Sequence, residues 1–322
     1  MSLQSALLAP SRWRWWEVAL WAALWAMPVL LPPHAALINE IAILALFALS
    51  LDLVLGYAGI ISLGHAAFLG VGAYAAALFA KHVMPDPLLG LAVGTAAGAV
   101  LGMLTSPMIV RGSDLTRLMV TMGVALVLLE LANKFDGITG GTDGLQGVVM
   151  GPLFIPFVGR FDFDLGARVA SFYSLAVLFV AFVFLRRVVH SPLGMSLQAL
   201  RDNRLRVAAI GLSVNGRLAA VYTLAAALAG AAGALLAQTT GFVSLDVFEF
   251  HRSADVMLAL VIGGAGWLWG ALVGAIAFKV MHDFIAGITA QYWTFWIGLF
   301  LVVLMLVGRE RLLRPWTWWR KS

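Results

Sequence analysis

Apolar runs long enough to cross a membrane recur along the whole sequence. A spanning helix needs about 20 mostly apolar residues, and such runs lie near 16–33, 36–55, 57–80, 88–110, 114–132, 168–185, 216–240, 267–287 and 291–307. In addition, 62% of the residues are hydrophobic and 11% are charged, whereas soluble domains carry about 25% charged residues. The pattern predicts an all-α polytopic membrane protein, a helical bundle with a single transmembrane domain over residues 1–322.

The positions of the arginines predict the orientation of these runs, because Lys and Arg concentrate in cytoplasmic loops. The clusters are separated by even numbers of crossings and comprise Arg12, Arg14, Arg111, Arg117, Arg186, Arg187, Arg201, Arg204, Arg206 and Arg217. The basic tail at 308–322 shares their side only if the shorter apolar run at 254–266 also crosses. We therefore expect about ten transmembrane segments, both termini cytoplasmic, and a broken or short helix near 254–266. A cleaved signal peptide is the alternative for the first run, but MPVLLPPHAALINE has no clear small-x-small site.

Small residues recur at spacings of three and four in several of these runs. One stripe runs through Gly59, Ser62, Ala66, Gly70, Ala73 and Ala77, a second through Gly90, Gly94, Gly98 and Gly102, and a third through Gly266, Gly270 and Gly274. Lipid provides no hydrophobic drive for helices to associate, so close contact at small residues takes its place. These glycines are predicted to pack helix against helix.

Polar residues inside the apolar runs are the candidate functional groups. His65 lies off the first stripe, together with Tyr57, Ile61 and Phe68. Buried polar groups in membranes face the bundle interior or a wet cavity, so His65 either bonds a neighbouring helix or lines a solute path. A metal site is not expected, because no second histidine or carboxylate stands three or four residues away.

The charged residues in these runs are predicted to lie near helix ends. Asp52 is close to a cytoplasmic end. Near the outer ends, Glu130 with Lys134 and Lys279 with Asp283 have the i,i+4 spacing of helical ion pairs. None of these groups forms a mid-membrane relay of the kind that a proton-coupled secondary transporter needs.

Motifs of catalysis and nucleotide binding are missing from the sequence. It has no cysteine, no H-E-x-x-H and no G-x-S-x-G, and no lysine follows a glycine as a Walker A loop requires. We therefore predict no catalytic residues and no cofactor. If the chain moves a solute uphill, the energy comes from another subunit.

The segment at 186–217 is expected to be a cytoplasmic amphipathic helix between two spans. Leu197, Leu200, Leu205 and Ala208 have roughly helical spacing among arginines, and Gly211 ends the helix. Such a helix either lies on anionic lipid or docks a cytoplasmic partner. The absence of a nucleotide site in the chain makes a partner the sharper hypothesis.

Four motifs together resemble the LivM-type permeases, the membrane subunits of branched-chain amino acid ABC importers. They are GYAGIISLGHAAFLGVGAYAAAL at 56–78, ITGGTDGLQGV at 138–148, LRDNRLRVAAIGLSVNGRLAAVYTLAAALAGAAGAL at 200–235 and MLALVIGGAGWLWGALVGAIAF at 257–278. They follow one another in the order of that family. The family usually reads R-E-N-E where this chain has Arg201, Asp202, Asn203 and Arg204, and Trp267 and Ala271 replace a small residue and a proline.

The resemblance implies an inner-membrane half-channel in a bacterium, embedded in lipid and working by alternating access. Its implied partners are two ATP-binding subunits, a second LivH-type permease and a periplasmic substrate-binding protein, with no nucleic acid. A coupling segment at about 190–213 would meet the ATPases through Arg201, Asp202, Asn203, Arg204 and Gly211. A loop at about 133–167 would face the periplasm, and Tyr57, Ser62 and His65 are candidates for the translocation path.

The resemblance leaves the solute open. Branched-chain amino acids are the first expectation, and urea, short amides or other amino acids are alternatives within the same class. An intramembrane enzyme would need a convergent catalytic set, which one histidine in a glycine-rich run does not supply.

Overall fold

The computed structural model of the chain describes residues 14–110, 112, 114–155, 159–161, 167–288, 295, 296, 298 and 299, with only the backbone of 153–155, 159–161 and 288. Nearly all of the expected last span at 291–307 and the whole basic tail at 308–322 lie outside these residues. Arg12 and Arg111 lie outside them as well.

Most of the described residues are helical. The helices are α1 (Trp15–Leu30), α2 (Ala35–Asp52), α3 (Ala66–His82), α4 (Pro87–Val110), α5 (Asp114–Lys134), α6 (Asp136–Thr139), α7 (Arg168–Val189), α8 (Pro192–Asp202), α9 (Arg204–Ala209), α10 (Val214–Thr240), α11 (Phe250–Gly263) and α12 (Leu268–Ile288). A π-helical turn, Leu53–Tyr57, continues α2. Short 3-10 turns cover Pro32–His34, Gly141–Asp143 and Leu245–Phe248.

One small hairpin departs from the all-α expectation. In the loop after α6, β1 (Leu153–Ile155) pairs with β2 (Gly159–Phe161) in antiparallel register, with Leu153 opposite Phe161. The hairpin is too short to change the fold class, and the bundle is a helical membrane domain.

Six helices among the described residues are long and apolar enough to cross a membrane: Pro32–Tyr57, Pro87–Val110, Asp114–Lys134, Arg168–Val189, Val214–Thr240 and Leu268–Gly287. Trp15–Leu30 and Ala66–His82 are shorter apolar helices. The chain therefore passes through the membrane several times. The expected short helix near 254–266 is present as α11, whose 14 residues span only about 21 Å at 1.5 Å per residue.

The bundle has two chemically different ends. At the basic end, Arg186 on α7 contacts Glu17 on α1, and Arg201 on α8 contacts Gly56 after α2. At the opposite end, both Tyr173 and Gln238 donate to the carbonyl oxygen of Pro87, and Leu145 pairs with Val243. The spans run between these two ends.

Three helices, α3, α4 and α10, pack so closely that backbone meets backbone, and we call this group the glycine rib. A Cβ on Gly72 would overlap the Gly230 carbonyl oxygen, and one on Gly94 would lie 2.7 Å from the Gly72 carbonyl oxygen. The predicted ladder on α4 faces α10 along its length: Gly90 meets Gln238, Gly94 meets Ala234, and Gly98 and Gly102 meet Ala226. Side chains at these positions would force the helices apart.

Other members of the predicted stripes have different roles. Gly70 packs against the ring of Phe248 in a 3-10 turn, while Gly270 and Gly274 let α12 lie against α11 at Gly263 and Ala259. Gly59 and Gly266 do not lie on helices, since their φ angles are +66° and +82°, a region that L-residues with a Cβ rarely adopt. Their assignment to helix packing is wrong.

The first stripe is also not continuous, because residues 58–65 form no helix. A span over 57–80 is therefore wrong in its first third, and α3 begins only at Ala66. The freed backbone groups are satisfied inside the protein: Ile60 N–H donates to the Val54 carbonyl, and Ala66 N–H donates to Ser253 Oγ. Irregular backbone at membrane depth is tolerated where protein covers it in this way.

Candidate functional site: a basic-end junction and two cavities

The segment after α7 forms two short helices instead of the single predicted one. Pro192 opens α8, and the chain breaks at Asn203, which has an extended backbone and accepts a hydrogen bond from the Arg206 N–H. Leu197 and Leu200 on α8 are fully buried. The extended backbone of Asn203 interrupts the helical repeat, so apolar residues at helical spacing before and after it no longer lie on the same face.

The predicted apolar face therefore fails beyond Asn203. Val207 is buried, whereas Leu205 is 84% exposed and Ala208 is exposed too. The segment ends at Gly211, whose φ is +82°. Asp202, Asn203, Leu205 and Ile210 form an exposed mixed surface at the basic end.

The side chain of Arg201 contacts other segments of the same chain. Its Nη1 donates a hydrogen bond to the carbonyl oxygen of Gly56, in the π-helical turn that ends α2. Its side chain also fills the space beside Gly59 and Gly266, where a Cβ would approach Arg201 at 2.7 Å and 3.1 Å respectively. One side chain of α8 thus touches both interruptions of the membrane helices, the segment at 58–65 and the turn between α11 and α12.

Asp52 closes the same contact from the other side. Its fully buried carboxylate accepts a hydrogen bond of 2.6 Å from the Gly266 N–H. A Cβ on Gly56 would overlap both Asp52 Oδ1 and Gly266 N, so the turn between α11 and α12 lies directly on the end of α2. We call this group of Asp52, Gly56, Gly59, Arg201 and Gly266 the Arg201 junction.

The three candidate path residues are not brought together around one cavity. His65 is fully buried, its Nε2 lies 2.9 Å from Ser50 Oγ on α2, and its ring stacks on Phe47. Of the two predictions for His65, this geometry corresponds to the one in which the side chain bonds to a neighbouring helix. Ser62 is buried with no hydrogen-bond partner among the described residues, and Tyr57 lines a cavity at the basic end.

That basic-end cavity has a volume of about 480 Å³ and lies next to the Arg201 junction. Its wall includes an ion pair that the sequence did not indicate: Arg186 Nη1 lies 2.7 Å from Glu17 Oε2, and Trp269 Nε1 donates to Glu17 Oε1 at 3.1 Å. The sequence carried one signal for this pair: Glu17 lies between tryptophans in an apolar run, and a carboxylate in that position needs a partner inside the protein.

A second cavity of about 480 Å³ lies toward the opposite end, between α2, α10, α11 and α12. Glu40, Arg252, Asp255 and Lys279 line one part of it, and apolar side chains line the rest. Lys279 pairs with Glu40 on α2, so its predicted pairing with Asp283 is wrong. The partner lies across the bundle, and helical spacing within α12 could not reveal it.

The fold defines a class, a multi-pass helical membrane protein, and no described group of His, Asp and Glu side chains is arranged to hold a metal ion. A family model described as branched-chain amino acid transport system / permease component matches residues 34–308. The chain belongs to this family, which confirms the resemblance seen in its motifs.

Individual relatives agree with this membership. The high-affinity branched-chain amino acid transport system permease protein LivM of Salmonella typhimurium is 31% identical over 295 residues, covering 84% of this chain and 68% of that protein. A probable branched-chain amino acid transport permease protein LivH of Methanocaldococcus jannaschii is 26% identical, covering 76% and 77%. The ribose import permease protein RbsC of Escherichia coli is 24% identical, covering 85% of each chain. No solved structure matches at a significant level.

Proposed function

We propose that the chain is the permease subunit of an ABC importer and forms half of a translocation path for branched-chain amino acids in a bacterial inner membrane. Its partners are two ATP-binding subunits, a second LivH-type permease and a periplasmic substrate-binding protein. About ten segments cross the membrane, and both termini and the basic end face the cytoplasm. Membership of the permease family and the relatives named LivM support this assignment.

The Arg201 junction is the observation that carries the mechanism. α8 lies outside the spans, yet Arg201 reaches the carbonyl of Gly56 and the turn at Gly266. Both points are interruptions of membrane helices, and a π-helical turn is a frequent feature of functional sites. A displacement of α8 by a partner would therefore be transmitted to the end of α2 and to α11 through direct contacts.

The surface around α9 provides a place for that partner. Leu205 and Ile210 are large apolar side chains exposed by 84% and 73%, and the charged residues Asp202 and Arg206 lie beside them. Gly211 then turns the chain into α10. ATP-driven closure of the ATPases would push this surface, and the junction would carry the movement into the bundle.

The experiment is transport by the complete complex in proteoliposomes, with substrate uptake and ATP hydrolysis measured side by side. Arg201→Glu removes the donor to Gly56, and Gly211→Leu places a branched side chain at a φ of +82°, where L-residues are strained by about 1–2 kcal/mol. We expect both variants to insert and to hydrolyse ATP while uptake per ATP falls.

Arg204→Glu is the control, because it restores the glutamate that the R-E-N-E pattern of the family has at this position. It also reverses an arginine charge beyond the break at Asn203, whereas the arginine next to the glycines of the junction is Arg201. It should be tolerated. Normal uptake per ATP in both Arg201→Glu and Gly211→Leu would refute coupling through this segment. Uptake by the isolated chain under a proton gradient would refute the ABC assignment.

A further inference from the structure

The cavity between α2, α10, α11 and α12 combines two kinds of wall. Ile43 and Phe47 of α2 and Phe278 of α12 form an apolar side. Asp255 of α11 and Lys279 of α12 form a charged side. Ionisable groups among membrane helices are costly and mark solute or ion paths by default, so this wall requires an explanation beyond packing.

Among the described residues, some charged side chains on that wall form ion pairs and one does not. Lys279 pairs with Glu40, and Arg252 pairs with Asp246 at the edge of the cavity. The Asp255 carboxylate is surrounded by the positive fields of Arg252 and Lys279, but it accepts no hydrogen bond and forms no ion pair within the described part of the chain. It is a partly buried anion with free acceptor positions facing the cavity.

The volume of the cavity and the side chains that line it limit the kinds of solute that could bind there. The volume of about 480 Å³ lies within the range of about 300–1,000 Å³ that is usual for small-molecule sites. Charges of both signs on one side and aromatic rings on the other complement a solute that has both charges at one end and an apolar body. The described histidines and carboxylates here are not arranged to hold a metal ion.

We propose that this cavity is a binding site for zwitterionic amino acids with apolar side chains, in which Asp255 accepts hydrogen bonds from the solute ammonium group. The carboxylate group of the bound amino acid then lies toward Arg252 and Lys279, and its apolar side chain lies against Phe47 and Phe278. The site rests on the proposed importer function and adds to it a solute-binding position within this chain. Uncharged solutes such as sugars lack the charges that this wall would compensate.

The test is saturation-transfer NMR on the assembled transporter in lipid nanodiscs without the binding protein, with L-leucine as the probe. We expect transfer to the leucine methyl groups. The native complex should give much weaker transfer to 4-methylpentanoate, which lacks the ammonium group, and to ribose. Equal transfer to leucine and 4-methylpentanoate, or none to leucine, would overturn the proposal without the use of any variant.

Asp255→Asn should weaken leucine binding about tenfold or more, because hydrogen bonds to an ionised group are the strong ones. Asp283→Asn is the matched control: it removes the same charge from the neighbouring helix, at an exposed position that does not line the cavity. Equal loss in the two variants, or none in Asp255→Asn, would contradict a specific role for Asp255. ATP-driven uptake by the same native preparation separates the two proposals, since uptake without leucine transfer leaves the importer standing and refutes only this site.

Discussion

The glycine rib and the Arg201 junction are both tight contacts of backbone, but only the junction also includes charged side chains. In the rib, glycines such as Gly72 and Gly230 bring backbone against backbone along whole helices. In the junction, two side chains, Arg201 and Asp52, hold the points where helices are interrupted. A contact of backbone along a helix has one arrangement, whereas a contact made by a few polar groups at a break can change. We therefore propose that the rib is the frame and that the junction is the movable part.

The largest expected effect tests whether polar contacts also hold the basic end together. Glu17 and Arg186 form an ion pair at 2.7 Å, and both side chains are less than 10% exposed. Removing one partner of a buried pair costs about 3–5 kcal/mol. We expect Glu17→Leu to lower the free energy of unfolding by that amount, measured by denaturant titration of the purified chain in micelles.

The double variant Glu17→Leu with Arg186→Met is the control for that experiment. Replacing a buried pair by apolar residues of similar volume is often nearly neutral, so the double variant should recover most of the loss. If the double variant is as unstable as the single one, the pair is not what holds α1 to α7.

The next effect concerns the rib. Gly72→Ala would place a Cβ against the Gly230 carbonyl oxygen, and overpacking of this kind costs about 1–3 kcal/mol. The same titration should show a loss near the upper end of that range, because backbone cannot move aside as a side chain can. Gly123→Ala on α5 is the matched control, since no atom lies within 4 Å of its Cβ position. Equal stability of the two variants would contradict the proposal that tight packing in the glycine rib holds the bundle together.

The smallest effect on stability, and the sharpest contrast, is expected at the junction. The Arg201 side chain is 46% exposed, and partly exposed polar contacts contribute about 0–1 kcal/mol. Arg201→Ala should therefore lower the free energy of unfolding by less than about 1 kcal/mol while uptake per ATP is lost. A variant that is strongly unstable, or stable and fully coupled, would remove the distinction between frame and movable part.

The sequence predicted what depends on local pattern. Apolar length located the six long apolar helices among the described residues, and the spacing of Gly90, Gly94, Gly98 and Gly102 indicated a packing face that the structure places against α10. The short helix after the 3-10 turn was expected from the length of its apolar run and from the side on which the basic tail was predicted to lie. These features follow from the helical period and from the thickness of a bilayer.

What the sequence could not predict depends on distant partners. Nothing local marks residues 58–65 as non-helical, because Gly59 and Ser62 also suit a packed helix, and the break is stabilised by Arg201 and Ser253 from far along the chain. Lys279 has a plausible partner in Asp283 at i+4 and a better one in Glu40 on another helix. Asp255 lies in an apolar run, which was a signal, but only the fold shows the cavity that it faces.

The most direct test of coupling through the Arg201 junction is a distance measured between spin labels in the assembled transporter. The sequence has no cysteine, so cysteines introduced at the exposed residues Trp267 in the turn and Met103 on α4 give a pair of labels that is unique within this chain. We expect ATP binding to change the distance between these labels and Arg201→Ala to abolish that change. A distance that shifts to the same extent with Arg201→Ala would show that the junction does not carry the movement.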